Sequence, residues 1–221
     1  WLVDTDGRRY LDFTSGIGVT STGHCHPTVV AAAQAQVGRV IHAQYTTVAH
    51  RPMLELTDAL AERMPEGIDS VAFANSGSEA NDTAIKLVWY VNNALGRPQK
   101  KKIISRQKAY HGVTVAAASL TGLPNNQRDF DIPIDGILYT DCPHYYRYGE
   151  AGESEEDFAA RCAENLENLI LAEGPETIAA FFAEPVMGAG GVLVPPASYF
   201  EKIQPILKKY DILFVVDEVI C

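Results

Sequence analysis

The spacing of apolar residues changes along the chain, and the changes divide it into elements. Leu2 and Val3, an Asp6-Gly7 turn, then Tyr10, Leu11 and Phe13 predict a small hairpin. A glycine-rich stretch from Gly16 to Gly23 follows. From Pro27 the positions Val29, Val30, Ala33, Val37 and Val40 fall at helical spacing, with the proline in the first turn where it is tolerated. A second helix is predicted from about Pro52 to Met64, with Leu54, Leu56, Leu60 and Met64 facing inward.

Beyond residue 70 short apolar runs alternate with helical patterns. Strands are predicted at Val71–Ala74, Lys102–Ser105, Ile137–Thr140, Ile178–Phe182 and Ile212–Val216. Between them lie a helix opened by Ser76, with Glu79 closing a capping box three residues on, and a helix over Val113–Leu120 after a loop. A Tyr-, Gly- and Pro-bearing loop spans 141–152. An acidic helix capped by Ser154 and Asp157 runs to about Ala172, and another spans Tyr199–Tyr210. Continuous apolar strands separated by helices mean an α/β fold, a mostly parallel central sheet flanked by helices. Ligands in such sheets bind outside the carboxyl ends of the strands. That directs attention to Asn75-Ser76-Gly77-Ser78, the loop around Tyr110, Glu184-Pro185 and Asp217.

Composition narrows the classes. The 221 residues suffice for one sizeable core, or one plus part of a second. A net charge of −10, with 28 acids against 18 bases, argues against non-specific nucleic-acid binding, which needs a basic patch. No apolar run approaches the roughly 20 residues that span a bilayer, so no membrane partner is expected. Cys25, Cys142, Cys162 and Cys221 form no CxxC pair, which suggests neither a zinc site nor a disulfide framework, and fits free thiols in a reducing cytoplasm. The start, WLVDTDGRRY, lacks the pattern of a signal peptide, and a first residue of Trp with an uncapped apolar end reads as part of something longer.

Four segments carry chemistry. Asn75–Asn81 follows a strand and opens a helix, whose N-terminus presents free N–H groups and a positive dipole to a phosphate. Gly77 lets the phosphate approach and Ser78 donates a hydroxyl. A well-capped helix with no ligand is the competing reading. Tyr110-His111-Gly112 puts an aromatic at a strand end, where it can wall a planar ring or simply lid the core. Asp217 ends ILFVVD, where a carboxylate needs a cationic partner that no flanking residue supplies. A protonated pyridine nitrogen would supply one and would make that ring an electron sink. A cap for a following helix is the alternative. Glu184 precedes Pro185 and the glycine-bearing Met187–Gly191 loop, positioned to hold an arginine or to sit solvated.

In this order and at these strand ends, NSGSEANDTAIKL, YHG, FFAEPVMGAGG and FVVDEVIC, with DTDGRRYLDFTSGIG and GHCHPTVV before them, make the chain resemble the class III aminotransferases that use pyridoxal phosphate on the fold-type I scaffold. The resemblance covers essentially all 221 residues. It implies that Gly77 and Ser78 take the cofactor phosphate, Tyr110 stacks on one ring face and Val219 on the other, His111 lies beside the ring, and Asp217 pairs with the ring nitrogen. Glu184, Glu218 and Tyr45 would support the substrate side. It implies residues 1–48 as an N-terminal segment and part of a small domain, 49–221 as an incomplete cofactor-binding domain, and a C-terminal small domain beyond. It implies a homodimer or dimer of dimers. The family also needs a lysine on a later strand as Schiff-base partner and proton shuttle. None of Lys86, Lys100, Lys101, Lys102, Lys108, Lys202, Lys208 or Lys209 matches it, so the chain alone is expected not to turn over.

Two positions bear on substrate. Ornithine, acetylornithine and many 4-aminobutyrate enzymes carry Arg after the aromatic-x-Gly triplet, where it grips a carboxylate, and Gln after Asp-Glu-Val. Here these are Val113 and Ile220, which resemble the ω-amino acid or amine:pyruvate enzymes. GHCHPTVVAAAQAQV and RVIHAQYT resemble the 4-aminobutyrate enzymes instead. The expected function is therefore amino transfer from an ω-amino acid or amine to a keto acid, pyruvate, with a 4-aminobutyrate type using 2-oxoglutarate, or a non-catalytic fragment, as alternatives. A nucleotide-dependent dehydrogenase would need G-x-G-x-x-G after the first strand, and no predicted strand is followed by one.

Overall fold

The computed structural model describes residues 1–221. The chain forms two compact units, Trp1–Ala72 and Phe73–Cys221.

In the first unit β1 (Leu2–Val3) and β2 (Arg9–Tyr10) pair antiparallel as the predicted hairpin. Asp4 organises the turn: its carboxylate accepts the Asp6 and Arg8 N–H groups at 3.0 and 2.8 Å and the Tyr10 hydroxyl at 2.9 Å. A four-residue turn α1 (Ser15–Gly18) passes through left-handed backbone at Gly16 and Ile17. Helices α2 (Pro27–Val37) and α3 (Arg51–Ala61) follow, each with proline in its first turn. His50 caps α3 by accepting the Met53 N–H at 3.3 Å. No residue of this unit is buried, and Leu54, Leu56 and Met64, expected inward, are largely exposed. Within the unit no second layer covers them. Helix α3 belongs to the first compact unit, and the main sheet to the second.

The second unit is an α/β sandwich. Its elements are α4 (Gly77–Ala94), β3 (Lys102–Arg106), α5 (Val115–Leu120), β4 (Ile137–Thr140), α6 (Tyr145–Tyr148), α7 (Glu155–Glu173), β5 (Ile178–Ala183), α8 (Tyr199–Lys209) and β6 (Leu213–Val216). The four strands are parallel in the order β4-β3-β5-β6. Side chains alternate across the sheet. Ile104, Phe181 and Ala183 meet α7 and α8 through Phe158, Leu166, Ile170, Tyr199 and Ile203. Ile103, Ala180 and Phe182 meet α4 and α5 through Ile85, Val88 and Leu120. All six residues of β5 are buried, as its unbroken apolar run requires for a strand covered on both faces.

The strand expected at Val71–Ala74 does not form. Neither edge strand of the sheet pairs with it, so its ladder groups have no partner and Ala72 and Ala74 are exposed. The loop over 141–152 also contains one turn of helix, α6, that its composition did not announce.

Candidate active site

Because β3, β5 and β6 run parallel, the residues that follow them emerge at one edge of the sheet. Asp217 extends β6 by one bond, its N–H donating to the Ala183 carbonyl at 2.9 Å. The N-terminus of α4 comes to the same edge through Asn81, whose amide spans to both His111 and Asp217.

The first turn of α4 is built as the capping signal predicts. The Ser76 hydroxyl accepts the Glu79 N–H at 3.2 Å, while the Glu79 carboxylate accepts the Asn75 N–H at 2.8 Å, one residue before the cap. The N–H groups of Gly77 and Ser78 have no intrahelical acceptor, as at any helix start. A side chain added at Gly77 would meet nothing within 4 Å, so the backbone there is open to a ligand. Ser78 Oγ accepts the Val113 N–H at 3.0 Å, which leaves its own proton free to donate outward. Gly112, with φ of +137°, allows this approach, since a Cβ there would lie 2.3 Å from Ser78 Oγ.

Asp217 is not partnerless within the protein. Its Oδ2 meets His111 Nδ1 at 2.9 Å and accepts from Asn81 Nδ2 at 3.1 Å, and its Oδ1 takes only a long bond of 3.3 Å from the Val219 N–H. Burial opposes ionisation of this carboxyl, but the bonds from His111 and Asn81 outweigh it and hold the group below its ordinary range. His111 is buried. Its N–H donates to Thr121 Oγ1 at 2.9 Å, and its ring stands edge-on to Phe182, with Nε2 buried and without a partner.

Glu184 is buried, which rules out a solvated loop acid. Burial pushes its carboxyl up, against the pull of His111 and Arg106. Its Oε1 lies 4.0 Å from Arg106 and accepts the Tyr110 N–H at 3.3 Å, and its carbonyl accepts from Arg106 at 2.5 Å. The arginine beside Glu184 is the last residue of β3, fully buried with its guanidinium over the rings of Tyr199 and Phe200, and its hydrogen bond goes to the Glu184 backbone carbonyl. Tyr110 is half-buried above this pair. Glu218 and Val219 are exposed beside Asp217, and Tyr45 lies in the first unit, more than half exposed.

Thus Tyr110 and Glu184 are joined by one hydrogen bond and His111 and Asp217 by another, while Ser78 holds the Val113 N–H two residues after His111 and Gly77 precedes Ser78 at the start of α4. Residue-by-residue reading missed Asn81, Arg106 and Asp82, the last accepting Thr114 Oγ1 and the Ala117 N–H at the start of α5. Asn81 had a legible signal, because it lies one helical turn after Gly77 and shares its face.

The chain is 55% identical over 223 residues to gamma aminobutyrate transaminase 3, chloroplastic, of Solanum lycopersicum, covering 100% of this chain and 43% of that protein. It is 55% identical over 222 residues to gamma aminobutyrate transaminase 1, mitochondrial, of the same organism, with the same coverage. Among solved structures, the omega transaminase of Pseudomonas jessenii in complex with PMP superposes with a TM-score of 0.96 at 54% identity, over 99% of this chain and 49% of that one. The chain thus spans about half the length of the relatives it matches. The chloroplastic and mitochondrial relatives overturn the cytoplasmic expectation, whose basis, unpaired cysteines and no signal peptide, does not separate these compartments. The family and the neighbour's complex with PMP indicate pyridoxal phosphate as cofactor, and the residues present fit it: a free helix start with open space at Gly77, and a half-buried carboxylate with one oxygen nearly unengaged. The aminotransferase class-III family matches residues 1–221, and the chain belongs to it.

Proposed function

We propose that the protein transfers an amino group from an ω-amino acid or amine to a keto acid, pyruvate. The observation that carries this reading is the Asp217 carboxylate, held ionised by His111 and Asn81 at the edge where Ser78 and the α4 N-terminus open. When bound, pyridoxal phosphate supplies an electron-withdrawing ring that carries the amino group between donor and acceptor. Ser78 Oγ and the first N–H groups of α4 hold its phosphate. Asp217 would keep a proton on the ring nitrogen, and Tyr110 and Val219 would pack against the ring. Glu184, anchored by Arg106, fixes Tyr110 through its N–H.

Substrate preference is supported by Val113, which puts an exposed aliphatic chain where a carboxylate-gripping arginine would serve a second charge. With Val115, Phe130, Ile132 and the amides of Asn125 and Asn126 it lines a hollow of 320 Å³ beside Gly112 that holds no charged group, in keeping with an uncharged amine tail. The names of the relatives favour a second reading, a 4-aminobutyrate type using 2-oxoglutarate. Steady-state kcat/KM of the full-length protein separates them. A higher value with pyruvate and an arylalkyl amine supports the first, and a higher value with 4-aminobutyrate and 2-oxoglutarate replaces it with the second.

No lysine bonds any member of the Asp217–Ser78 cluster, and Lys100, Lys102, Lys202 and Lys209 are engaged elsewhere. The 221 residues alone are therefore expected to bind the cofactor without turnover, and borohydride reduction followed by peptide mapping tests this. Exposed Phe13 and Ile41 in the first unit support a homodimeric assembly that covers them, testable by light scattering.

A further inference from the structure

Asn81 is 7% exposed inside α4, and both N–H bonds of its amide are used: one to the His111 carbonyl at 2.8 Å, the other to Asp217 Oδ2 at 3.1 Å. An amide is planar, so the bond to the backbone carbonyl fixes its rotation and aims the second proton at the carboxylate. His111 Nδ1 meets the same oxygen at 2.9 Å. Oδ2 is thus occupied from two sides, and Oδ1, with its single 3.3 Å bond, is the oxygen left for a cation.

Asn81 also sits one turn beyond Gly77 on the same helix. Neither the His111 ring, on the loop after β3, nor the Val219 N–H, after β6, connects the carboxylate directly to helix α4, which opens at Gly77. A buried asparagine in the second turn of a helix is a poor choice for packing alone, because its amide must be desolvated and helix propensity favours leucine or alanine.

We propose that Asn81 is a positioning residue: it fixes the Asp217 carboxylate in the orientation that receives the cofactor's ring nitrogen, and ties it rigidly to the helix start that holds the phosphate. This rests on reading Asp217 as the partner of that nitrogen. The two ends of the cofactor are then gripped by one element, α4, at a fixed separation.

The test uses the full-length protein stripped of cofactor, and two ligands: pyridoxal phosphate and its 1-deaza analogue, in which CH replaces the ring nitrogen. The readout is the ratio of their dissociation constants, measured without substrate. The wild type prefers the nitrogen-bearing ligand. Asn81→Ala reduces that preference about ten-fold, the effect of one hydrogen bond to a charged group. Asn81→Leu, close in size and without donor or charge, is the safeguard if alanine fails to fold, and reduces it as far. A merely structural role would weaken both ligands alike and leave the ratio unmoved. An unchanged ratio in the folded Asn81 variants, with Asp217→Ala abolishing the preference, overturns the proposal and leaves the Asp217 reading intact. An unchanged ratio in Asp217→Ala overturns both.

Discussion

Replacing Gly112 by alanine tests whether the approach of α4 to the loop after β3 builds the phosphate end of the site. At φ of +137° an L residue is strained, and residues in such sparsely populated regions cost about 1–3 kcal/mol. The new Cβ would also lie 2.3 Å from Ser78 Oγ and 3.0 Å from both Ser78 Cα and Ala117 Cβ. The hydroxyl cannot swing away without giving up the Val113 N–H, a bond worth about 1 kcal/mol, and the other two contacts require α4 and α5 to part. Together these predict a loss of roughly 3 kcal/mol. Gly77→Ala is the counterpart. Its Cβ meets nothing within 4 Å, and alanine is favoured over glycine in a helix by up to about 1 kcal/mol, so stability should hold or rise. Its methyl nevertheless occupies the space through which a phosphate would approach. Urea unfolding followed by circular dichroism reads stability, and titration with pyridoxal phosphate reads affinity. The expected pattern is crossed: Gly112→Ala loses stability and affinity, whereas Gly77→Ala loses affinity alone. A Gly112→Ala protein unfolding at the wild-type midpoint would refute the packing argument. Wild-type affinity in Gly77→Ala would refute the cradle.

Arg106→Met leaves Glu184 as an uncompensated buried charge and should cost about 3–5 kcal/mol by urea unfolding, with part recovered in the Arg106→Met/Glu184→Gln double variant. Since burial already raises the Glu184 carboxyl, the single variant should gain stability as pH falls and Glu184 takes up a proton, which acid-range unfolding curves will show or exclude. Glu153 accepts Arg161 in a fork at 2.7 and 2.8 Å, which, with the Glu150 N–H, lowers its carboxyl to about 2. That contribution is complete above the ordinary value of 4.5 and lost as pH falls towards 2, so Arg161→Ala should move the carboxyl's NMR titration midpoint upward. Burial pushes the thiols of Cys142 and Cys162 up to about 11 and 12, so a disulfide reagent at neutral pH should modify the exposed Cys25 and Cys221 quickly and the other two only after denaturation. Four fast thiols in the native protein would contradict this.

The second unit was legible because its strands are buried on both faces. IAAFFA admits no surface placement, and the capping serines at 76 and 154 mark helix starts that the structure reproduces. Val71–Ala74 reads in the same way but forms no strand. An apolar run states only that a strand would be stable if neighbours covered it and completed its ladder, and no strand of the sheet pairs with this one. The first unit fails for a related reason. The period of α3 is helical and the helix forms, yet its predicted inner positions are uncovered, because amphipathic spacing specifies a face and not what lies against it.

At the site, the residues found from sequence were those whose chemistry is marked by a strand end or a helix start. Their supports were hidden because each support is a long-range pairing. No basic residue lies along ILFVVD, and the groups that meet Asp217 are His111, 106 residues away in sequence, and Asn81, at 136 residues further still. The same holds for Glu184 and Arg106, separated by 78 residues and brought together because β3 and β5 are neighbours in the sheet. Parallel order therefore does chemical work beyond aligning loops. At Arg106 and Glu184 it sets the last side chain of one strand against the first loop residue after its neighbour, whereas Asp217 rests on a loop residue, His111, and a helix residue, Asn81. Substituting a support should then alter the acidity or aim of the group above it before it alters the fold, and Asn81 is the position at which those two effects are most cleanly separable.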